Sequence, residues 1–228
     1  MVKPPVIIIN LKKYDEVLGK KALVFSKIAK KLSDKYGIAI FVAPPFPLLG
    51  ESAEIVSTLS QHVDPYETGA FTGSIVAKEL KELGVAGSLI NHSERRMPHS
   101  DIAKCVELCR KYMLMSIVCV KDDAEAGELA KLKPDFIALE PPELIGGGIS
   151  VSTARPEMIK HGVKSVKDVS LHTRVLCGAG IKNREDAGKA IELGADGILI
   201  ASGIVKAADA EGAAEELVAG ILEANKRQ

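Results

Sequence analysis

Glu140 is the residue whose position most needs a chemical reason. It closes the otherwise apolar run Phe136-Ile137-Ala138-Leu139, and a carboxylate set against such a wall without a partner is costly. Partly stripped of water, it becomes an effective general base; the alternative is a structural ion pair to Lys12 or to an arginine. Two more polar clusters end apolar runs of the same kind, Asn10-Leu11-Lys12 after Val6–Ile9 and Asn91-His92-Ser93-Glu94 after Ala86–Ile90. Lys12 alternates with Asn10, so both can face one way. Taken singly, Lys12 reads equally well as a solvated lysine and His92 as a structural histidine. A cation, an imidazole and a carboxylate that all close strands of one domain suggest a proton-transfer site.

Two other loops complete that picture. Pro141-Pro142-Glu143-Leu144-Ile145-Gly146-Gly147-Gly148 begins at the candidate base, stiff at one end and loose at the other, as expected of a hinged lid that excludes water. Gly178-Ala179-Gly180 and Ala201-Ser202-Gly203 are small enough for backbone N–H groups to approach a phosphate closely. That feature specifies a kind of ligand and no reaction.

The elements that must position these residues are strands at Val6–Asn10, Ile38–Ala43, Val56–Ser60, Ala86–Ile90, Met115–Val120, Phe136–Glu140, Thr173–Cys177 and Gly197–Ala201. Continuous apolar runs of this sort suit strands covered on both faces of a parallel sheet. Between them the spacing predicts helices over Asp15–Tyr36, Pro45–Ala53, Ile75–Leu83, Asp101–Met113, Ala124–Leu132, Arg155–Val169, Arg184–Leu193 and Asp209–Ala224, that at Pro45–Ala53 being the weakest. Eight strand–helix units without a hairpin signal predict a closed eight-stranded parallel (β/α)8 barrel. At 228 residues the chain sits toward the short end of that architecture's range of about 200 to over 400. No GxGxxG follows the first strand, which weakens the dinucleotide-binding alternative. No linker or composition shift interrupts the rhythm, so a single domain over 1–228 is expected.

Composition narrows the function classes. Thirty basic residues balance thirty acidic ones, and aromatics are only 4% with no Trp. The usual electrostatic case for nucleic acid or an acidic membrane is absent, and stacking platforms for bases are not expected. The apolar run Val6–Ile9 is far shorter than a signal-peptide core or a membrane span of about 20 residues, which predicts a cytoplasmic protein. Cys105, Cys109, Cys119 and Cys177 form no CxxC pair and read as buried free thiols. His62, His99, His161 and His172 lie away from the strand ends and read as surface or packing residues.

Asn-Leu-Lys at 10–12, Asn-His-Ser-Glu-Arg-Arg at 91–96, Glu-Pro-Pro-Glu-Leu-Ile-Gly at 140–146, Cys-Gly-Ala-Gly-Ile at 177–181 and Ala-Ser-Gly at 201–203 follow one another along nearly the whole chain. Together they resemble the triosephosphate isomerase family in its compact archaeal form. The His-Ser-Glu motif combined with the Glu-Pro-x-x-x-Ile-Gly lid is specific, whereas Asn-x-Lys or Gly-Ala-Gly alone is weak.

The resemblance implies a TIM barrel that interconverts dihydroxyacetone phosphate and D-glyceraldehyde 3-phosphate through an enediol, in glycolysis and gluconeogenesis, without metal or organic cofactor. It implies Glu140 as the base, His92 as the electrophile and Lys12 as the cation that meets substrate and enediolate charge. Asn10 and Leu11 join Lys12 in binding substrate, with Ile145, Gly146, Gly180, Ala201 and Ser202 around the phosphate. Glu94 supports Lys12. A neutral His92 is expected because a helix should begin just beyond it, and a helix N-terminus disfavours positive charge. The segment Gln61–Gly73 resembles a projecting loop that docks into a neighbouring subunit, where Thr72 braces the partner's site, implying a homo-oligomer, dimer or tetramer. Cys119 matches a cysteine the family often carries, here with a packing role. The lid departs from the better-known pattern, with Glu143 where Trp and Gly147 where Thr is usual.

Two alternatives have distinct signatures. One is another phosphate-binding barrel acting on a larger sugar phosphate, such as a phosphopentose epimerase or a biosynthetic lyase. Epimerases of that kind resemble metal-binding barrels with inward His and Asp pairs, which do not occur at these strand ends, and chelator-sensitive activity would favour that reading. A catalytically silent binding module would have no need of Lys12, His92 and Glu140 together.

Overall fold

The computed structural model describes residues 5–141 and 156–227. Eight strands, β1 Val6–Asn10, β2 Ala39–Ala43, β3 Leu59–Ser60, β4 Gly87–Ile90, β5 Met115–Val120, β6 Phe136–Leu139, β7 Arg174–Cys177 and β8 Gly197–Ile200, form one sheet in the order β2-β1-β8-β7-β6-β5-β4-β3. Every pairing is parallel. The ends of that order meet at a parallel bridge between Val42 and Thr58, with the Val42 amide donating to the Ser57 carbonyl at 3.1 Å. The sheet is thus the expected barrel, joined most thinly between β2 and β3.

Around it run the helices α1 Ala22–Tyr36, α2 Leu49–Ala53, α3 Ala77–Glu82, α4 His99–Lys111, α5 Asp123–Ala130, α6 Pro156–Val169, α7 Arg184–Glu192, α8 Ser202–Val205 and α9 Ala210–Asn225. Among the described residues none is long and apolar enough to cross a membrane.

Several boundaries differ from the sequence pattern for local reasons. The helix expected over Asp15–Tyr36 is two 3-10 turns, Asp15–Val17 and Gly19–Lys21, followed by α1. Leu18 is extended at ψ 141° and Gly19 turns left-handed at φ +56°, a conformation glycine reaches without a Cβ clash. The third strand is Leu59–Ser60 instead of Val56–Ser60 because the Val56 amide still donates to Ser52 O, as in a helix. A fully buried hydroxyl chain fixes that corner: Ser26 Oγ lies 2.9 Å from Ser52 Oγ, and Ser52 Oγ 2.7 Å from Thr58 Oγ1. The one-turn α8 has too few residues to show a helical period and is absent from the sequence reading.

Side chains alternate across the sheet as a barrel requires. Val6 and Ile8, Leu89, Ile117 and Cys119, Phe136 and Ala138, Leu176 and Leu199 fill the lumen. Their neighbours Ile7, Ile9, Ile90, Val118, Ile137, Leu139, Val175 and Ile198 pack outward under the helices. Extending this alternation past the strand ends points Asn10, Glu140 and Gly178 inward at one mouth.

All four cysteines are free and buried. Burial pushes the thiols of Cys105, Cys109 and Cys177 up to about 12 and Cys119 well above the usual thiol range. A thiol-specific disulfide reagent at pH 8 should therefore find almost no reactive cysteine in the folded protein and all four in denaturant. Rapid labelling of even one under native conditions would contradict this packing.

Candidate active site

Glu140 emerges from β6 with its amide still in the ladder, donating to Val120 O at 2.8 Å. Its side chain is almost completely buried at the barrel mouth, with the residue 3% exposed. Oε1 lies 3.3 Å from His92 Nε2, and among the described residues Oε2 has no hydrogen-bond partner. Cys119 sits beneath it in the lumen, and the carboxylate adds to the rise that burial imposes on that thiol. Room for Glu140 depends on Gly178, where an added Cβ would come within 2.7 Å of Glu140 Cγ and 3.0 Å of Leu139 O.

His92 is buried, and the Glu94 amide donates to its Nδ1 at 3.2 Å. A ring nitrogen that accepts from an N–H carries no proton of its own, so the ring proton resides on Nε2, the nitrogen beside Glu140. Asn10 Nδ2 lies 3.5 Å from the same nitrogen. The expected helix start just beyond His92 is corrected: α4 begins at His99, with Pro98 as its N-cap, and Pro98 keeps the preceding residue out of the helical region. One turn amide, that of Glu94, does what the helix terminus was expected to do.

Lys12 adopts φ +53°, unusual for a residue with a side chain. Its amide donates to Asn10 Oδ1 at 3.0 Å, and its carbonyl accepts from Gln61 Nε2 at 3.1 Å. Gln61 also donates to Ala43 O at 2.9 Å, so one amide group ties the ends of β1 and β2 together. Lys12 Nζ pairs with Glu94 Oε1 at 2.7 Å.

Asn10, Lys12, His92, Glu94, Glu140, Gly180, Ala201 and Ser202 line one cavity of about 280 Å³. Leu11 departs from its expected place. Its side chain is fully buried among the aliphatic residues under the helices and its amide donates to Ala43 O at 3.0 Å, so it lies outside the cavity lining. Thr72 lies on an exposed loop away from the cavity. Ile145, Gly146 and the lid positions Glu143 and Gly147 fall outside the described residues. Among the described residues, no group of three or more His, Cys, Asp or Glu could hold a metal ion.

The family model for triosephosphate isomerase matches residues 5–219. The chain is 45% identical to the triosephosphate isomerase of Methanothermus fervidus over 94% of this chain and 97% of the relative. Identity is 45% to that of Methanocaldococcus jannaschii, covering 93% and 98% of the two chains, and 46% to that of Archaeoglobus fulgidus, covering 97% and 100%. The chain belongs to the triosephosphate isomerase family. It is accordingly an isomerase, of the family that interconverts dihydroxyacetone phosphate and glyceraldehyde 3-phosphate in glycolysis, and its similarity runs to archaeal relatives.

Two residues at this triosephosphate isomerase mouth escape a sequence reading. Gln61 reads only as the first residue of the projecting loop, although it directly follows β3 and the strand-end criterion would have found it. Tyr14 lines the cavity with the Lys206 ammonium 4.4 Å above its ring. A second cavity of about 390 Å³ adjoins the first and shares Asn10, Lys12, Tyr14, His92 and Glu94 with it, its further lining including Gln61, His62, Ile75 and Arg95. At its edge His62 Nε2 lies 3.0 Å from Asp64 Oδ1, and the Ile75 amide donates to Asp64 Oδ2 at 2.7 Å. Burial pushes His62 below the usual imidazole range, outweighing its bond to Asp64. Burial alone would raise Asp64, but the Ile75 amide, His62 and Arg95 together hold it below the usual carboxylate range.

Both shifts carry the same sign for stability. The unfolded chain protonates His62 at about pH 6.5, above its folded value, so stability is lost as pH falls below that point; Asp64 adds a second loss below about pH 4. Thermal melts from pH 8 to 5 should show Tm level down to about pH 7 and then falling. In His62→Gln the fall should be shallower, and an unchanged acid slope in that variant would refute the assignment to His62.

Proposed function

We propose that Glu140, His92 and Lys12 carry this chain's isomerisation of triose phosphate, with Glu140 as the base that moves a proton between C1 and C2. The observation that carries the reading is the buried Glu140 carboxylate, one oxygen 3.3 Å from His92 Nε2 and the other unpartnered among the described residues. A carboxylate in that state takes its missing donor from the substrate, first the carbon-bound proton and then, as a carboxylic acid, the proton it returns to the neighbouring carbon. Negative charge grows on the substrate oxygens as the first proton leaves. The Nε2–H of His92 polarises the carbonyl and passes a proton between the two oxygens, while Lys12 Nζ holds the enediolate. Such fixed charge and donors, already in place before reaction, are the largest usual source of rate.

Asn10 positions the substrate, and its phosphate is met by backbone N–H groups around Gly180, Ala201 and Ser202, joined by Ile145 and Gly146 of the lid. Glu94 orients Lys12. The reaction in this form takes no metal or organic cofactor. The projecting loop carries Thr72 into the second cavity of a neighbouring copy, so that the working form is a homo-oligomer, dimer or tetramer. The whole chain, 1–228, acts as one domain in the cytoplasm.

A coupled assay with glyceraldehyde 3-phosphate should show turnover by the wild type. Glu140→Gln should lose roughly 10²–10⁴-fold in kcat, the range expected for general acid–base catalysis. Lys12→Ala should lose most activity as well, and both should keep native-like melts. A wild-type rate for Glu140→Gln would sink the mechanism.

A further inference from the structure

His92 does not face the mouth by the rule that points Asn10 and Glu140 there. In β4, Leu89 lies in the lumen and Ile90 packs outward; strict alternation would turn Asn91 inward and send His92 outward under the helices. Asn91 breaks the alternation. It takes φ +63°, in the left-handed region that Asn tolerates better than other residues with side chains. We infer that Asn91 is a positioning residue that turns His92 into the active-site mouth and holds it there through both ends of its amide.

The amide bonds account for the hold. Val120 O accepts from Glu140 on the β6 side, so alternation along β5 turns Cys119 O toward β4, where a continued ladder would place the His92 amide. The left-handed turn takes that amide away, and Asn91 Nδ2 fills its place, donating to Cys119 O at 2.9 Å. At the other end Asn91 Oδ1 accepts from the Met97 amide at 2.9 Å. The side chain, 1% exposed, thus pins the first and last residues of the loop that contains both His92 and the Glu94 amide bonded to Nδ1. Position and tautomer of the imidazole depend on that closure. The catalytic consequence rests on the role proposed above for His92.

Two variants separate the parts. Asn91→Gly accepts the positive φ but loses both bonds; Asn91→Asp keeps an acceptor for Met97 and sets an oxygen against Cys119 O. Both should still fold cooperatively at about 25 °C, with lower melts and Asn91→Asp the lower of the two. Each should lower kcat about tenfold while KM stays within twofold, because His92 acts on the oxygens of the reacting carbons and not on the phosphate. In a His92→Gln background neither should cost anything further. Nitrogen-15 NMR of the substrate-free protein should show His92 as one neutral Nε2–H form in wild type and averaged between forms in the variants. The inference is overturned if the variants keep wild-type kcat and His92 spectra, or if they lose as much activity when His92 is already Gln. Should the wild type fail to turn over triose phosphate while the spectra change as stated, the proposed function fails and the positioning of His92 stands.

Discussion

The mouth of this barrel holds a buried carboxylate that the described residues leave incompletely satisfied. A buried carboxylate oxygen without a donor costs more than an ordinary lost hydrogen bond, and Glu140 Oε2 is such an oxygen. The surroundings make the arrangement possible without relieving it. Gly178 supplies room, the Cys119 thiol lies beneath, and His92 meets only the other oxygen. A donor placed on Oε2 by the protein would stabilise the fold and blunt the carboxylate in its proposed role as base. The barrel accepts the cost because the strand that carries Glu140 is held by β5 on one side and β7 on the other, so the energy can be met by apolar burial elsewhere in the same sheet.

How much of this is legible in the sequence depends on whether a feature is periodic. Strands such as Val6–Asn10 and Met115–Val120 stand where their apolar runs place them, because burial on both faces leaves a signal in every residue. Glu140 is legible for the same reason, as a carboxylate ending such a run. The misreadings occur where one conformation or one side-chain bond decides. Gly19 at φ +56° ends a pattern that otherwise reads as a long helix, and the Ser26-Ser52-Thr58 hydroxyl chain shortens a strand whose residues are still β-formers. Leu11 sits within a motif whose family resemblance implies substrate binding, yet alternation beside Asn10 and Lys12 sends its side chain to the outer core. Gln61 is masked by its neighbours, with which it reads as one projecting loop. His92 reads as a mouth residue because it follows β4, although the alternation of β4 argues against it.

Lys12 after β1 and Asn91 after β4 are both left-handed, and at Asn91 the turn is what brings the next side chain to the mouth. A strand delivers side chains every second residue to a fixed face, too coarse a spacing for three groups that must converge on one small molecule. A single residue at positive φ resets the direction, at an order of 1–3 kcal/mol in backbone strain. Each such residue here is tied by side-chain amides, Gln61 and Asn10 at Lys12, and Asn91's own at the second site. Strain located beside the reacting groups and held by directional bonds yields a geometry that thermal motion does not blur.

The charge on Lys12 poses the complementary problem, since a cation meant for an anionic ligand must not be neutralised by its own support. The pair it forms with Glu94 resolves this through unequal exposure: the lysine side chain is 13% exposed and the glutamate 57%. Water screens the carboxylate far more than the ammonium, so the pair contributes little to stability, as exposed pairs do, while its 2.7 Å contact still fixes where Nζ lies. An ion pair buried at both ends would have oriented the lysine more firmly and cancelled its field in the cavity. With thirty charges of each sign in the chain, net charge supplies no attraction for an anion, and the role proposed for Lys12 depends instead on local asymmetry of this kind.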